Sequence, residues 1–112
     1  MKKKNIIQKE KEFTEIIHKC RYVKNNYFVI YYRKNNNVGN RYGISIPKKT
    51  GKANIRNKIK RRIKNIIDLN EKYIHISYDY VIIIRKRLIE LDYLGIEKNL
   101  LSLINRIGEK NE

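Results

Sequence analysis

The sequence has few of the residues that cross-link a chain or interrupt its regular structure. It contains one cysteine, one proline and no tryptophan among 112 residues. The single cysteine, Cys20, excludes an internal disulfide and a cysteine-based metal site, and it fits a reducing cytoplasm. No apolar run approaches the roughly 18 to 20 residues that span a bilayer, and no apolar signal core follows the basic start Met1–Lys4. We therefore expect a cytoplasmic protein without a membrane span.

Negative charge is missing from the middle of the chain. No Asp or Glu lies between Ile16 and Ile67. A solvated surface normally mixes both signs, so a block of one sign this long indicates a surface for a polyanion. The formal net charge of +16 would be self-repelling in a compact domain. Nucleic acid is the first candidate to neutralise it, and an anionic membrane surface is the second. The basic residues of this block are Lys19, Arg21, Lys24, Arg33, Lys34, Arg41, Lys48, Lys49, Lys52, Arg56, Lys58, Lys60, Arg61, Arg62 and Lys64.

Length and periodicity predict one α/β domain over residues 1–112, with an ordered core over about 5–107. Residues at helical spacing and β-branched or aromatic runs alternate in the order α-β-β-α-β-α. The first two strands, joined by the turn residues 35–40, are expected to form an antiparallel hairpin. The third strand is a continuous apolar run, which is typical of a strand buried on both faces. The predicted helices cover about 9–19, 53–68 and 92–107, and the strands 27–32, 41–46 and 80–84.

Residues for catalysis by the protein itself are not arranged in any recognisable pattern. His18 and His75 are isolated, and neither has a partner at metal-ligand spacing. The pair Gly51-Lys52 is not part of a phosphate-binding loop motif. Paired carboxylates are absent from the basic half of the chain. We therefore expect no side chain of this protein to act as acid, base or nucleophile, and no protein-bound metal.

A basic helix directly follows a lysine-rich turn in the segment 47–64. The turn contains Lys48 and Lys49, and the helix has the core Arg56-Asn57-Lys58, followed by further basic residues. This order closely resembles the signature of the bacterial ribonuclease P protein family. The resemblance extends over about residues 5–107, through Phe13 and the strand segments Phe28–Tyr31, Arg41–Ser45 and Asp79–Ile83.

The resemblance implies a fold and a function. The fold would be an α/β sandwich with a mixed sheet and a left-handed βαβ crossover, like the second domain of the fifth protein of the small ribosomal subunit. The protein would be a subunit of an endoribonuclease whose catalytic centre lies in the RNA. That RNA would use Mg²⁺, bound mainly by itself and the substrate, to remove the 5′ leader of precursor tRNA.

The same resemblance implies two binding surfaces. A basic helix face would bind the catalytic RNA, through phosphates. An aromatic cleft between the first helix and the sheet would bind the single-stranded leader, since stacking on aromatic rings tolerates any sequence. The residues implied for the RNA subunit are Arg56, Asn57, Lys58, Lys60, Arg61 and Lys64. Those implied for the leader are Phe13, Ile17, Tyr31, Ser45 and Lys49.

Several positions depart from the family pattern. Lys58 and Lys64 stand where arginine is usual, which keeps the charge but loses the planar fork. The segment Ile6-Ile7 replaces an Arg-Leu pair, Cys20 replaces a glycine, and Ile17 replaces an aromatic residue. We expect weaker or less specific RNA contacts where lysine replaces arginine.

Two other classes share this size and charge. A non-enzymatic RNA binder such as a small ribosomal protein is the alternative function, and the order of lysine-rich turn and Arg-Asn-Lys helix argues against it. A membrane-surface protein would need bulky apolar residues free to insert, whereas the apolar stripe of the basic helix is isoleucine and fits a core.

Overall fold

The computed structural model describes residues 1, 5–7, 10–36 and 39–107. The predicted helix start at Lys9 and the predicted turn residues 37 and 38 lie outside these ranges. Short 3-10 turns cover Lys48–Thr50, Glu71–Tyr73 and Lys86–Glu90. The regular elements are α1 (Glu10–Lys19), β1 (Arg21–Lys24), β2 (Phe28–Lys34), β3 (Arg41–Ser45), α2 (Ala53–Asn70), β4 (Tyr78–Ile84) and α3 (Tyr93–Ile104).

The strand β4 lies inside the sheet, whose order is β1-β2-β4-β3. It runs antiparallel to β2 and parallel to β3, so β3, α2 and β4 form a βαβ unit. The expected α/β fold class is confirmed, but the predicted hairpin between β2 and β3 is wrong. The apolar run of β4 is buried on both faces, which is typical of an inner strand. β4 therefore lies between β2 and β3 and keeps them apart.

The strand β1 was not predicted. It, and not β3, forms an antiparallel hairpin with β2. It pairs antiparallel with β2 from Arg21 opposite Tyr32 to Lys24 opposite Val29. The turn depends on Asn25, whose Oδ1 accepts hydrogen bonds from the backbone N–H groups of two following residues, at 2.8 and 2.9 Å. This is the ordinary role of asparagine in a turn.

The two faces of the sheet carry separate apolar clusters. On one face, α2 and α3 cover even-numbered residues of the central strands, among them Phe28, Ile30 and Ile82, which are fully buried. On the other face, α1 covers odd-numbered residues such as Tyr31 and Val81. Side chains along β2 thus alternate between the two faces, and the predicted burial of β4 on both faces is confirmed.

The helices end and pack largely as their sequences predict. The four buried residues of α2 are isoleucines of the predicted stripe. Asp92 caps α3, because its Oδ1 accepts a hydrogen bond from the backbone N–H of Gly95 at 2.8 Å.

A buried carboxylate joins two arginines from different strands at one end of the sheet. The side chain of Asp79 is 1% exposed and lies between Arg33 of β2 and Arg41 of β3. Its oxygens accept hydrogen bonds from Arg41 Nη2 at 2.8 Å, Arg41 Nε at 3.0 Å and Arg33 Nε at 3.1 Å. Asn35 Nδ2 donates a further bond at 2.9 Å. Burial opposes the charged form, but these hydrogen bonds outweigh it and lower the pKa of Asp79.

The same two arginines hold α1 on the sheet. Arg41 Nη2 lies 3.0 Å from a carboxylate oxygen of Glu12, and Arg33 Nη1 lies 2.8 Å from one of Glu15. The hydrogen bond from Arg33 lowers the pKa of Glu15. We name the group formed by Glu12, Glu15, Arg33, Arg41 and Asp79 the Asp79 cluster. Its ion pairs add to the apolar contacts that hold α1 against the sheet.

Replacing the buried carboxylate should destabilise the protein. In Asp79→Asn the arginines face each other without the charge between them, so we expect unfolding to cost about 2 to 4 kcal/mol less. This is below the full value for a buried pair, since Arg33 and Arg41 are 28% and 23% exposed. Urea denaturation measures it. Glu90→Gln, which removes an exposed carboxylate paired with Arg87, is the control and should change stability by less than about 0.5 kcal/mol.

The pKa shifts of the cluster give this prediction a pH dependence. Carboxylates whose pKa is lowered by folding contribute stability above their unfolded pKa, and this stability is lost as the pH falls through the folded value. The urea midpoint of the wild-type protein should therefore stay constant above about pH 5 and decrease when the pH is below about 4. Asp79→Asn should lose less stability over that acid range. Equal acid sensitivity of the two proteins would contradict the role given to Asp79.

Candidate RNA-binding surfaces

The helix α2 presents positive charge on most of its circumference. Its buried stripe faces the sheet, and at about 100° per residue the basic residues cover the remaining arc. No acidic residue lies in its first turn, and its N-cap, Lys52, makes no side-chain capping bond. The positive end of the helix dipole thus adds to the charge of the side chains. Of the six predicted residues, Asn57, Lys58, Lys60 and Arg61 are exposed, and Arg56 and Lys64 are partly buried. We name these six the basic face.

Arg56 is positioned by the turn that precedes its helix. Its Nε donates a hydrogen bond to the backbone oxygen of Gly51 at 3.0 Å. The bond uses one side of the guanidinium and leaves the terminal nitrogens for another partner. A lysine could not make this contact and present a fork at the same time.

The predicted cleft lies beside α1 on the opposite side of the sheet from α2. Phe13 packs against the backbone of β3, where a Cβ atom built on Gly43 would lie 2.6 Å from its ring. Glycine at 43 is therefore what lets the ring approach the strand this closely. Ile17 and Tyr31 join the same apolar cluster, and each is only partly buried.

Ser45 and Lys49 lie at the end of the sheet that α1 leaves open. The strand register places Ser45 beside Ile83 of β4, which lies beside Val29 of β2. All three are partly exposed and point toward the α1 side. Lys49 is exposed in the 3-10 turn that follows β3. The structure brings Phe13, Ile17 and Tyr31 together, Ser45 lies at the end of the same sheet face, and Lys49 lies in the turn beyond it.

Tyr22 extends the aromatic floor and was missed by sequence reasoning. It lies opposite Tyr31 in the β1–β2 pair, and the two ring centroids are 5.3 Å apart. Its side chain is 52% exposed. Two residues further along β1, Lys24 is exposed on the same face. We name the surface formed by Phe13, Ile17, Tyr22, Tyr31, Val29, Ile83 and Ser45 the α1 cleft, with Lys24 and Lys49 on its rim.

The basic face and the α1 cleft meet at a small cavity. About 80 Å³ in volume, it is lined by Phe13 from the cleft and by Lys60 and Lys64 from α2. The segment Ile6-Ile7 closes it, since Ile7 donates its backbone N–H to the oxygen of Tyr42 at 2.8 Å and is buried. The isoleucines at this departure from the family pattern therefore cover the outer edge of β3.

The acidic groups near the cleft are engaged by arginines. The Asp79 cluster uses Glu12, Glu15 and Asp79, so none of them offers a free carboxylate for proton transfer or for Mg²⁺. Within the described residues, no group of three or more His, Cys, Asp and Glu side chains could hold a metal ion. Over the same residues, none of the helices combines the length and hydropathy needed to cross a membrane.

Comparison with known proteins gives consistent matches over nearly the whole chain. The family model described as Ribonuclease P matches residues 1–108. The "Ribonuclease P protein component" of Mycoplasma capricolum is 45% identical over 108 residues, which cover 96% of this chain and 99% of that protein.

Solved structures agree. A mutant RNase P protein of Staphylococcus aureus aligns with a TM-score of 0.86 and 32% identity, covering 93% of this chain and 88% of the other. The RNase P protein of Thermotoga maritima aligns with a TM-score of 0.84 and 32% identity, covering 90% and 96%.

Proposed function

The chain belongs to the ribonuclease P protein family, and we propose that it holds the catalytic RNA on the basic face and the 5′ leader of precursor tRNA in the α1 cleft. As a protein component of ribonuclease P it is part of an endoribonuclease that processes tRNA, and it associates with the RNA of that enzyme. The assignment of each surface to its RNA goes beyond family membership. The observation that carries it is the placement of a basic helix and an aromatic cleft on opposite faces of one sheet, in contact at the edge formed by β3.

The chemistry of the basic face suits phosphates. Its exposed lysines are point charges that can follow a curved backbone without selecting a base. Arg56, anchored to Gly51, adds a guanidinium with a fixed direction, which suits a single defined phosphate. The remaining contacts would supply most of the affinity and its salt dependence.

The α1 cleft suits an unpaired strand. Tyr22 and Tyr31 offer adjacent rings on the sheet, and Phe13 closes the other side. Rings of this kind stack on any base. Lys24 and Lys49 would contact the phosphates of a single-stranded RNA that crosses the sheet. The leader of precursor tRNA, which varies in sequence, is the substrate part that such a surface fits.

We assign the catalytic centre to the RNA subunit and Mg²⁺ to that RNA and its substrate. Asp79, the most buried carboxylate of the described chain, is enclosed by two arginines and would not accept a divalent cation. The part left to this chain is to position both RNAs and to neutralise their phosphates, which lowers the Mg²⁺ concentration needed for folding and cleavage.

Reconstitution tests the function as a whole. We expect the protein alone to leave precursor tRNA intact, and the protein with a bacterial ribonuclease P RNA to cleave the leader at lower Mg²⁺ than the RNA alone. Gel analysis of end-labelled precursor tRNA across a Mg²⁺ titration measures both. Cleavage by protein freed of RNA, or the same Mg²⁺ midpoint with and without protein, would contradict the proposal.

Removing charge from the basic face should weaken binding to the RNA subunit. In Arg56→Ala with Lys60→Ala and Arg61→Ala, each lost phosphate contact should reduce the slope of log affinity against log salt by about 1. Filter binding at several salt concentrations measures it. Removal of three exposed charges elsewhere, at Lys72, Arg87 and Lys98, is the matched control. Equal slopes for the wild-type and the basic-face variant would contradict the assignment.

Removing a ring from the α1 cleft should weaken binding of precursor tRNA but not of mature tRNA. Tyr22 is the cleaner position, because it is 52% exposed and its loss costs little packing. Stacking is worth about 1 to 3 kcal/mol per base, so Tyr22→Ala should weaken precursor binding by roughly five- to a hundred-fold. Tyr31→Leu should do the same while it keeps apolar volume, and Tyr31→Phe should bind normally.

The control for this prediction is Tyr73→Ala. Tyr73 is 64% exposed and lies in the turn after α2, outside both surfaces. It should leave the preference for precursor over mature tRNA unchanged. If folded holoenzymes with Tyr22→Ala and Tyr31→Leu keep the wild-type preference, the leader does not bind in this cleft.

A further inference from the structure

A second cavity lies at the end of the sheet that carries the Asp79 cluster, opposite to the open end of the α1 cleft. Its volume is about 440 Å³, which is within the usual range of ligand sites. No residue of the basic face or the α1 cleft lines it. Its walls are Lys19, Cys20, Arg21, Tyr32, Arg33, Lys34 and Tyr78.

The cavity exists because β1 is shorter than the strand it pairs with. Its first residue, Arg21, lies opposite Tyr32, so the last two residues of β2 have β4 on one side and no strand of the described chain on the other. The residues before Arg21 do not extend β1, because the chain arrives from α1 and turns at Cys20. The missing length of strand leaves a recess between the end of α1 and the edge of β2.

Positive charge around this recess is only partly compensated, because Glu15 pairs with Arg33 and attracts Lys19 at longer range. Among the described residues, no carboxylate oxygen lies within 4 Å of the charged nitrogens of Lys19, Arg21 or Lys34. The fourth cation, Arg33, is neutralised by Glu15 and Asp79. Three like charges on one concave surface focus a potential that an anion would relieve.

Aromatic surface accompanies the charge. Tyr32 and Tyr78 contact each other with ring centroids 6.2 Å apart and planes tilted by 54°. Tyr78 is 8% exposed and forms the floor of the recess, while Tyr32 is only partly buried. Cations beside a partly exposed ring, in a recess of this size, suit a nucleotide, whose base can stack while its phosphates contact Lys and Arg.

We propose that this recess binds an unpaired nucleotide of RNA, with its base against Tyr32 and its phosphates between Arg21 and Lys34. The proposal rests on the proposed function, because it adds a third RNA contact to the same complex. The nucleotide belongs either to the ribonuclease P RNA or to precursor tRNA, and these sources can be separated by experiment.

The charge test uses Arg21→Ala with Lys34→Ala, since both side chains are exposed and their loss should not affect folding. Binding is measured for the isolated RNA subunit and for precursor tRNA on the reconstituted holoenzyme. For one of the two RNAs we expect the log–log salt slope to fall by about 1.4, which is about 0.7 for each single-strand phosphate contact. The matched control, Lys98→Ala with Arg106→Ala, removes the same charge from the region of α3.

The RNA whose binding is weakened identifies the source. A loss with the isolated RNA subunit assigns the nucleotide to that RNA, and a loss only with precursor tRNA assigns it to the substrate. Tyr32→Leu should weaken the same RNA by about five- to a hundred-fold, and Tyr32→Phe should bind as the wild type does.

Cys20, the single thiol of the chain, lines the recess and reports its occupancy. Alkylation by N-ethylmaleimide should be slower in the complex with the RNA that shows the loss, and the charge variant should lose that protection. The proposal is overturned if Arg21→Ala with Lys34→Ala binds both RNAs like its control and Cys20 reacts at the same rate in free and bound protein. In that case the basic-face and α1-cleft variants would still lose binding if the proposed function holds.

Discussion

The position of the buried Asp79 carboxylate constrains the rest of the architecture. Its strand lies between β2 and β3, which do not touch each other, and its two arginine partners come one from each of them. The outer ends of those guanidinium groups then reach the glutamates of α1. One carboxylate therefore links β2, β3 and β4 and, through the two arginines, positions α1 on the sheet. Because a buried unpaired charge is so costly, this arrangement tolerates few alternatives.

This constraint also explains how so basic a chain distributes its charge. The chain has 11 acidic residues against 27 lysines and arginines. Three of those acids are used at one end of the sheet to hold α1, and none lies on the outer face of α2 before Asp68. The carboxylates at that end of the sheet bind arginines of the same chain and hold the fold together. The outer face of α2 has no carboxylate before Asp68, so its positive potential remains available to a polyanion. Folding and binding thus draw on different parts of the same charge distribution.

The sequence predicts the elements better than their partners. The stripes of α1 and α2, the Asp92 cap and the apolar run of β4 are local patterns that the structure bears out. The two neighbours of β2 are harder to predict than its own extent. Its short partner β1 offers four residues, too few for clear alternation, and its contact with β4 spans about fifty residues of sequence. The cross-strand pair of Tyr22 and Tyr31, like the recess beside Arg21, follows from that pairing and could not be predicted without it.

The distribution of arginine and lysine reflects the same division between fixed and adaptable contacts. The chain is rich in lysine, yet arginine stands wherever a fork must meet two acceptors. Arg41 donates two bonds to Asp79, and Arg33 divides its bonds between Asp79 and Glu15. A lysine at either position has one donor group and would leave an acceptor unsatisfied. On α2 the proposed contacts are to phosphates, which need positive charge but no fixed fork geometry, and the exposed lysines supply that charge. Lys58 therefore keeps the charge of an arginine without its planar fork, whereas Arg56 uses its guanidinium for the bond to Gly51.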